Sequence, residues 1–333
     1  MKAFIERAWQ QGHAVMWLLS PLTLLYWLVT AFRRSAYRCG LFRSVKLPIP
    51  VIVVGNITVG GNGKTPVVIW LAKLLAKQGK RVGIISRGYG GSATEATLVE
   101  STTPVTITGD EPKLIVANTG CLMAIGSDRI AAAQLIIAQA NADGAPLDII
   151  ISDDGLQHYR LQRDVEIAVV DGMRRFGNGK LIPMGPLREP TSRLNAVDLV
   201  ICNGGQPLAN EESLTLVPGA AVRLSTGQTI SGNYFEQQQV IAMAGIGHPP
   251  RFFETLSKLN IATVQQIGFA DHQAYTPSQL AALTTDSQCL LMTEKDAVKC
   301  QAFAQDNWYY LPVTAEVSLG ATEKIFNKLK ERY

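Results

Sequence analysis

Residues 51–66, VIVVGNITVGGNGKTP, constrain the fold of this chain more than any other stretch. A short apolar run of buried-strand type enters a glycine-rich loop, and Gly63-Lys64-Thr65 opens a helical pattern over 64–78. That order of strand, loop and helix is the setting a P-loop requires. Successive backbone N–H groups must turn inward around a phosphate, which only glycine-permitted dihedrals and a helix N-terminus allow. Thr58, Val59, Gly60, Gly61, Asn62, Gly63, Lys64 and Thr65 are therefore the expected nucleotide-binding residues. Lys64 is expected to meet the β- and γ-phosphates, and the Thr65 hydroxyl to be offered to Mg2+. One position departs from the general pattern GxxxxGK[ST], because Thr58 stands where the first glycine belongs; Gly60, Gly61 and Gly63 keep the loop permissive.

The rest of the body alternates apolar runs with helical patterns. Runs at 81–86, 121–125, 147–152, 165–170 and 197–202 read as strands buried on both faces, and 128–140 reads as a helix. Such alternation predicts an α/β fold, a P-loop NTPase-like parallel sheet with helices on both faces. Turn-rich sequence at 203–210 marks the expected end of that core, which spans 47–205. A smaller C-terminal α/β subdomain is expected over 206–333, with strands at 240–244, 289–293 and 308–312 and helices at 250–259, 277–283 and 322–331.

The 333 residues carry a formal net charge of +4, unevenly distributed. Residues 1–50 hold seven Lys and Arg against Glu6 alone, a net +6, which leaves −2 for everything after them. A basic stripe across the globular body, which nucleic-acid binding needs, is thereby excluded. The five cysteines are odd in number, far apart and without a CxxC pair. They read as reduced thiols of a cytosolic protein, not as disulfides or a zinc site.

The basic segment is also apolar. Residues 14–32 lack any charge, and as one helix they would span about 28 Å, just under the roughly 30 Å hydrocarbon core. Against a single span stands Ser20-Pro21, the pair that caps and starts a helix. Split there, residues 1–46 become two membrane-associating amphipathic helices and a basic linker. Phe4, Ile5, Ala8, Trp9, Val15, Met16 and Leu19 share one face of the first; in the second, Leu22, Leu25, Leu28, Val29 and Phe32 lie opposite Thr23, Thr30, Arg34 and Arg38. Three of the five tryptophans, Trp9, Trp17 and Trp27, fall in this stretch. Such rings favour the headgroup level of a bilayer, and the arginines favour anionic lipid. An in-plane anchor explains these features together; a true span and a hairpin packed on the body's own core are the other readings.

Acidic residues at sheet ends complete the set. Residues 147–154, LDIIISDD, form an apolar strand ending in Asp153 and Asp154. Alone this reads as a turn, but downstream of a P-loop it is how a carboxylate is set beside the metal. Asp110, in Gly109-Asp110-Glu111-Pro112, stands at a loop-to-helix junction as either an N-cap or a base that accepts a hydroxyl proton. Asp271-His272 leaves the same choice between structure and catalysis, and sequence separation hides whether His272 meets Asp110. In Gly185-Pro186-Leu187-Arg188-Glu189-Pro190, Arg188 and Glu189 are candidates for phosphate and metal, beside a solvated-loop reading. Thr293-Glu294-Lys295-Asp296 faintly echoes a nucleotide-base reader.

Taken together and in order, VGNITVGGNGKTP, SRGYGG at 86–91, GDEP at 109–112, DDGLQH at 153–158, GPLREP at 185–190, ADHQAY at 270–275 and TEKDAVK at 293–299 resemble the tetraacyldisaccharide 4'-kinase family of lipid A biosynthesis. The resemblance covers essentially the whole chain. A hydroxyl residue usually opens this family's P-loop, so Thr58 is expected there. The resemblance implies transfer of the ATP γ-phosphate to the 4'-hydroxyl of a tetraacylated glucosamine disaccharide 1-phosphate, giving the 1,4'-bisphosphate (lipid IVA). It implies a peripheral or monotopic enzyme at the cytoplasmic face of a Gram-negative inner membrane, with ATP and Mg2+ as cofactors. It also implies Asp110 as base assisted by His272, Arg188 on phosphate, and Asp153, Asp154 and Glu189 about the metal. A membrane-associated P-loop switch or transport accessory protein, and a membrane-binding module with a vestigial nucleotide site, are the competing classes.

Overall fold

Strands that are apolar at every position need cover on both faces, and the computed structural model, which describes residues 2–285 and 287–331, provides it. Met1, Asp286, Arg332 and Tyr333, included in the expected domain ranges, lie outside the described residues. The first half of the chain runs α1 (Lys2–Gln11), α2 (Ser20–Arg38), β1 (Val51–Gly55), α3 (Lys64–Lys77), β2 (Val82–Ser86), β3 (Thr97–Leu98), α4 (Val105–Thr108), α5 (Asp110–Thr119), β4 (Leu122–Ile125), α6 (Arg129–Ala142) and β5 (Ile149–Asp153). It continues through β6 (Val165–Asp171), β7 (Leu199–Asn203), β8 (Glu211–Pro218), β9 (Val222–Arg223), β10 (Gln239–Ala244), α7 (Pro249–Lys258), β11 (Thr263–Gly268), α8 (Pro277–Ala281), β12 (Gln288–Thr293), α9 (Glu294–Cys300), β13 (Trp308–Leu311), β14 (Val313–Val317) and α10 (Leu319–Lys330).

The larger sheet has the order β14-β8-β7-β6-β1-β5-β2-β4-β3. It is parallel from β8 to β4, with antiparallel β14 and β3 at its edges. β1, β2, β5 and β7 are buried throughout. Val67, Leu71 and Leu75 of α3, Ile115 of α5 and Ile325 of α10 cover one face, while Ile130, Ala133 and Ile136 of α6 cover the other. α6 starts where the sequence expects, since Asp128 accepts hydrogen bonds from the Ile130 and Ala131 N–H groups. The second sheet, β11-β10-β12-β13-β9, is parallel except for β9.

The expected boundary at 206 does not follow sheet membership. β8 adds to β7, and after the second sheet the chain returns to pair β14 with β8 and to bury Ala321 and Ile325 in the larger sheet's core. The second sheet is thus an insertion into the first. β8 shows why this was missed: only Leu214 is buried along it, so it lacks the continuous apolar run that marks the central strands.

The N-terminal segment also departs from expectation in detail. The first helix stops at Gln11; Gly12, at φ +76°, breaks it, and the His13 side chain then accepts the Val15 N–H at the start of a 3-10 turn, Ala14–Leu19. α2 begins at Ser20 with Pro21 in its first turn, but Leu19 is the cap residue and the Ser20 hydroxyl makes no capping bond. The polar face of α2 is turned to the body: Thr23 Oγ1 accepts the Met184 N–H (3.2 Å) and the Tyr26 hydroxyl donates to the Arg188 carbonyl (2.9 Å). Leu22, Leu25, Leu28, Val29 and Phe32 point outward and are exposed. A hairpin burying its apolar stripe on the body does not describe this arrangement. By length and composition, Ala14–Arg38 is apolar enough to cross a membrane.

Candidate active site

The P-loop leaves the carboxyl end of β1 at the middle of the sheet and ends at Gly63, the cap residue of α3. Gly63 has φ +84°, and a Cβ there would lie 2.1 Å from Asn203 Nδ2, so conformation and space both demand glycine. Asn203, at the end of β7, donates to the Asn62 carbonyl (3.1 Å). The Thr58 hydroxyl accepts from Asn62 Nδ2 (2.5 Å), which gives the residue at the loop's first position a task glycine cannot perform. Arg174 donates to the Gly61 carbonyl and to Asn62 Oδ1 (3.1 Å), and is itself held by Asp171 at 2.9 Å. The Val59 N–H bonds the Pro186 carbonyl (2.8 Å), stitching the P-loop to the 185–190 loop. The unpaired N–H groups and dipole of the α3 N-terminus thus face a pinned, glycine-lined turn, an anion site by construction.

Register sets Asp153 beside Val54 of β1, next to that loop. Asp153 is 1% exposed; Ser86 Oγ donates to its Oδ2 (2.8 Å), while its Oδ1 is buried without a partner. Burial, reinforced by Glu111 and Asp154, pushes its pKa up to about 7. Asp154, at φ +47°, faces Lys64 Nζ at 3.4 Å and Arg188 Nη1 at 3.3 Å. Burial raises its pKa, but Lys64 and Arg188 outweigh that and hold it below the usual carboxylate range. The unpartnered buried oxygen of Asp153 and the Thr65 hydroxyl in the first turn of α3 are hard-oxygen donors of the kind that suits Mg2+, which needs few protein ligands beside phosphate and water. Among the described residues no group of three or more His, Cys, Asp and Glu forms an all-protein cage.

Glu189, expected at the metal, is occupied elsewhere. Its buried carboxylate accepts from Gln157 Nε2 (2.9 Å) and the Tyr159 hydroxyl, with Arg193 Nε at 3.9 Å. Among the described residues no hydrogen bond or ion pair joins it to Lys64, Thr65, Asp153 or Asp154. Binding a cation through Glu189 would cost it these bonds, so in this arrangement it braces the loop that presents Arg188.

Asp110 and His272 meet across the two sheets. Asp110 is the first residue of α5 and only 4% exposed; Gly109, not Asp110, is the cap residue. His272, in the turn after β11, brings Nδ1 to 2.8 Å from Asp110 Oδ1 and 3.1 Å from Oδ2. Lys295 of α9 stands 3.8 Å from Asp110, 3.0 Å from Glu111 and 3.1 Å from Asp271. Burial would raise the Asp110 pKa, but the His272 hydrogen bond and then the Lys295 charge outweigh it and lower it. The Asp110 hydrogen bond raises that of His272, against burial and Lys295. Asp110 is therefore an anion at neutral pH, clamped by an imidazole. The P-loop borders the same crevice: a Cβ on Gly247 would lie 3.2 Å from the Gly61 nitrogen and 3.6 Å from Asp271 Oδ2.

A family model described as tetraacyldisaccharide-1-P 4'-kinase, LpxK, matches residues 15–332. The chain belongs to this family. The tetraacyldisaccharide 4'-kinase of Actinobacillus pleuropneumoniae serotype 5b (strain L20) is 49% identical over 325 residues, covering 97% of this chain and 98% of the relative. That of Vibrio cholerae serotype O1 (strain ATCC 39315 / El Tor Inaba N16961) is 49% identical over 332 residues, covering 98% and 96%. Among solved structures, the "apo" form of LpxK from Aquifex aeolicus in complex with ATP superposes with a TM-score of 0.78 at 26% identity, over 94% of this chain and 99% of that one. The P-loop NTPase-like α/β fold read from the sequence is the fold of this LpxK-family chain.

Several site residues of this LpxK-family member escaped the sequence reading. Asp171 and Asn203 end β6 and β7, and Ser86 ends β2. Polar residues at the carboxyl ends of parallel strands line the ligand crevice, so strand ends alone would have pointed to them. Arg174 carried no such signal, and Lys295 was read only as part of the 293–296 echo. The echo of a base reader at 293–296 also resolves differently. Thr293 caps α9, buried Asp296 binds the Gly245 N–H and the Tyr275 hydroxyl, and Lys295 turns to the acidic cluster.

Proposed function

We propose that this LpxK-family kinase transfers the γ-phosphate of ATP to the 4'-hydroxyl of a tetraacylated glucosamine disaccharide 1-phosphate, giving the 1,4'-bisphosphate, lipid IVA. One observation carries the reading: Asp110, held by His272 at 2.8 Å, borders the same crevice as the P-loop. Phosphoryl transfer asks for alignment and charge neutralisation more than covalent chemistry. The α3 N-terminus and Lys64 cradle the β- and γ-phosphates. Arg188 and Lys64 leave Asp154 for the arriving phosphate oxygens. Thr65, Asp153 and Asp154 are the residues that would hold Mg2+, which would supply charge neutralisation to the phosphates. Asp110 accepts the proton of the attacking hydroxyl, and His272 keeps its carboxylate oriented and anionic.

The outward apolar face of α2 supports a peripheral or monotopic seat at the cytoplasmic face of the inner membrane. Drawing acyl chains into water costs about 0.8 kcal/mol per CH2, so an enzyme that docks on the lipid surface and reaches only the headgroup avoids that cost. The test is incubation with γ-labelled ATP, Mg2+ and the disaccharide lipid. Label in the lipid supports the kinase reading; phosphate release with unlabelled lipid would support a hydrolytic switch instead.

A further inference from the structure

The outward-facing helix is tied to the nucleotide site by an uninterrupted run of hydrogen bonds. The Tyr26 hydroxyl, on the body-facing side of α2, donates to the Arg188 carbonyl (2.9 Å). The N–H of Arg188 donates to the Ile57 carbonyl (2.7 Å), and the Val59 N–H donates back to the Pro186 carbonyl (2.8 Å). Thr58 also bridges Leu187 backbone to backbone. The Arg188 loop is therefore clamped between the first turn of the P-loop and the phenol of Tyr26. Its other end is held by the same N-terminal segment: Trp9 Nε1 donates to the Pro183 carbonyl (3.0 Å), and Met184 packs with Ala8 and Met16. The guanidinium of Arg188 meanwhile rests 3.3 Å from Asp154, which Lys64 shares. One face of α2 is thus exposed leucine, valine and phenylalanine, and the other holds the carbonyl of a phosphate-facing arginine.

We propose that Tyr26 is a positioning residue that couples the seating of α2 on a lipid surface to the placement of Arg188, so that nucleotide binding tightens when the enzyme is on its membrane. The inference rests on the membrane reading given above. A free α2 that rocks on the body carries the Arg188 carbonyl with it, and a shift there misaligns the guanidinium and the P-loop entrance together. A seated α2 fixes both. The phenol is well chosen for this work, being half-buried with its hydroxyl committed to one acceptor.

The experiment uses the full-length protein with ATP binding measured with and without vesicles of phosphatidylglycerol and phosphatidylethanolamine, and vesicle co-sedimentation followed in parallel. Wild type is expected to bind ATP more tightly with vesicles. Tyr26→Phe, which deletes a single hydroxyl, is expected to sediment as wild type does but to bind ATP roughly 3- to 10-fold more weakly on vesicles, the range for one lost hydrogen bond. In an Arg188→Ala background the same change should add nothing, because Tyr26 acts through Arg188. Additive effects in that cycle, or full vesicle-dependent tightening in Tyr26→Phe, overturn the coupling. Wild type that fails to sediment overturns the membrane reading itself, and the coupling with it. Wild type that sediments without tightening overturns the coupling alone.

Discussion

His272 Nδ1 lies 2.8 Å from Asp110 Oδ1, although 162 residues of chain separate them. The pair closes a seam between the two sheets, and each partner shifts the other's titration toward the charged form. The groups facing Asp110 are His272 from the turn after β11, Lys295 and Lys299 from α9, and its own neighbour Glu111. His272 is the largest of the influences that lower the Asp110 pKa. His272→Gln therefore raises the pKa of the base, and the acid limb of kcat/KM moves to higher pH, because a protonated carboxyl accepts nothing. The pH-rate profile checks this; an unmoved acid limb would contradict it.

The same pair makes a stability prediction with a definite window. A His raised above its unfolded value stabilises fully below about pH 6.5 and loses that contribution as pH climbs through the folded pKa. A depressed Asp stabilises above about pH 3.9 and loses it as pH falls. The Tm difference between wild type and Asp110→Asn is accordingly largest near pH 5 and shrinks on either side. Thermal melts across that range are the check.

Lys295 sits among Asp110, Glu111 and Asp271, and its charge offsets all three. Lys295→Met leaves three carboxylates facing one another in a crevice where the lysine side chain was 16% exposed. Removing one member of such a buried cluster costs about 3 kcal/mol. The denaturation midpoint falls by a corresponding amount, and the acid limb shifts in the same direction as in His272→Gln.

Thr58→Gly would bring the P-loop closer to its general pattern, yet it is expected to weaken ATP binding. The substitution deletes the acceptor for Asn62 Nδ2 in a buried loop and loosens the backbone; a lost hydrogen bond alone is about 1 kcal/mol, or roughly fivefold in affinity. Thr58→Ser retains the acceptor and should bind ATP as wild type does. Equal affinity in Thr58→Gly would remove Thr58 from the loop's organisation.

Leu25 and Val29 are 58% and 56% exposed on the outward face of α2. The double substitution Leu25→Glu, Val29→Glu is expected to leave the melting temperature within a degree or two, since it disturbs no packing, and to abolish co-sedimentation with anionic vesicles. Retained sedimentation would place the lipid-binding surface elsewhere.

The central fold was legible because its strands are continuous apolar runs and its phosphate loop is a glycine pattern in a required setting. Where burial is one-sided the sequence was mute: β8 and β14 alternate, and their return to the larger sheet could not be read from residues that look like loop. Lys64 and Arg188 meet at Asp154, next to Asp153 at the end of β5. Glu189 does not join them, because the loop turns it toward Gln157 and Tyr159. The contact of Asp110 with His272 depends on how an inserted sheet docks, a relation that no local pattern encodes. The inversion of α2, polar side to the protein, became readable only when Thr23 and Tyr26 were seen to bond the 184–188 backbone.

The most direct test is single-turnover transfer of label from γ-labelled ATP to the disaccharide lipid by Asp110→Ala, with ATP affinity measured on the same sample. Transfer is expected to slow by roughly 10²- to 10⁴-fold, the usual loss of general-base catalysis, while ATP binds as in wild type. Transfer at the wild-type rate would contradict the assignment of Asp110 as the proton acceptor.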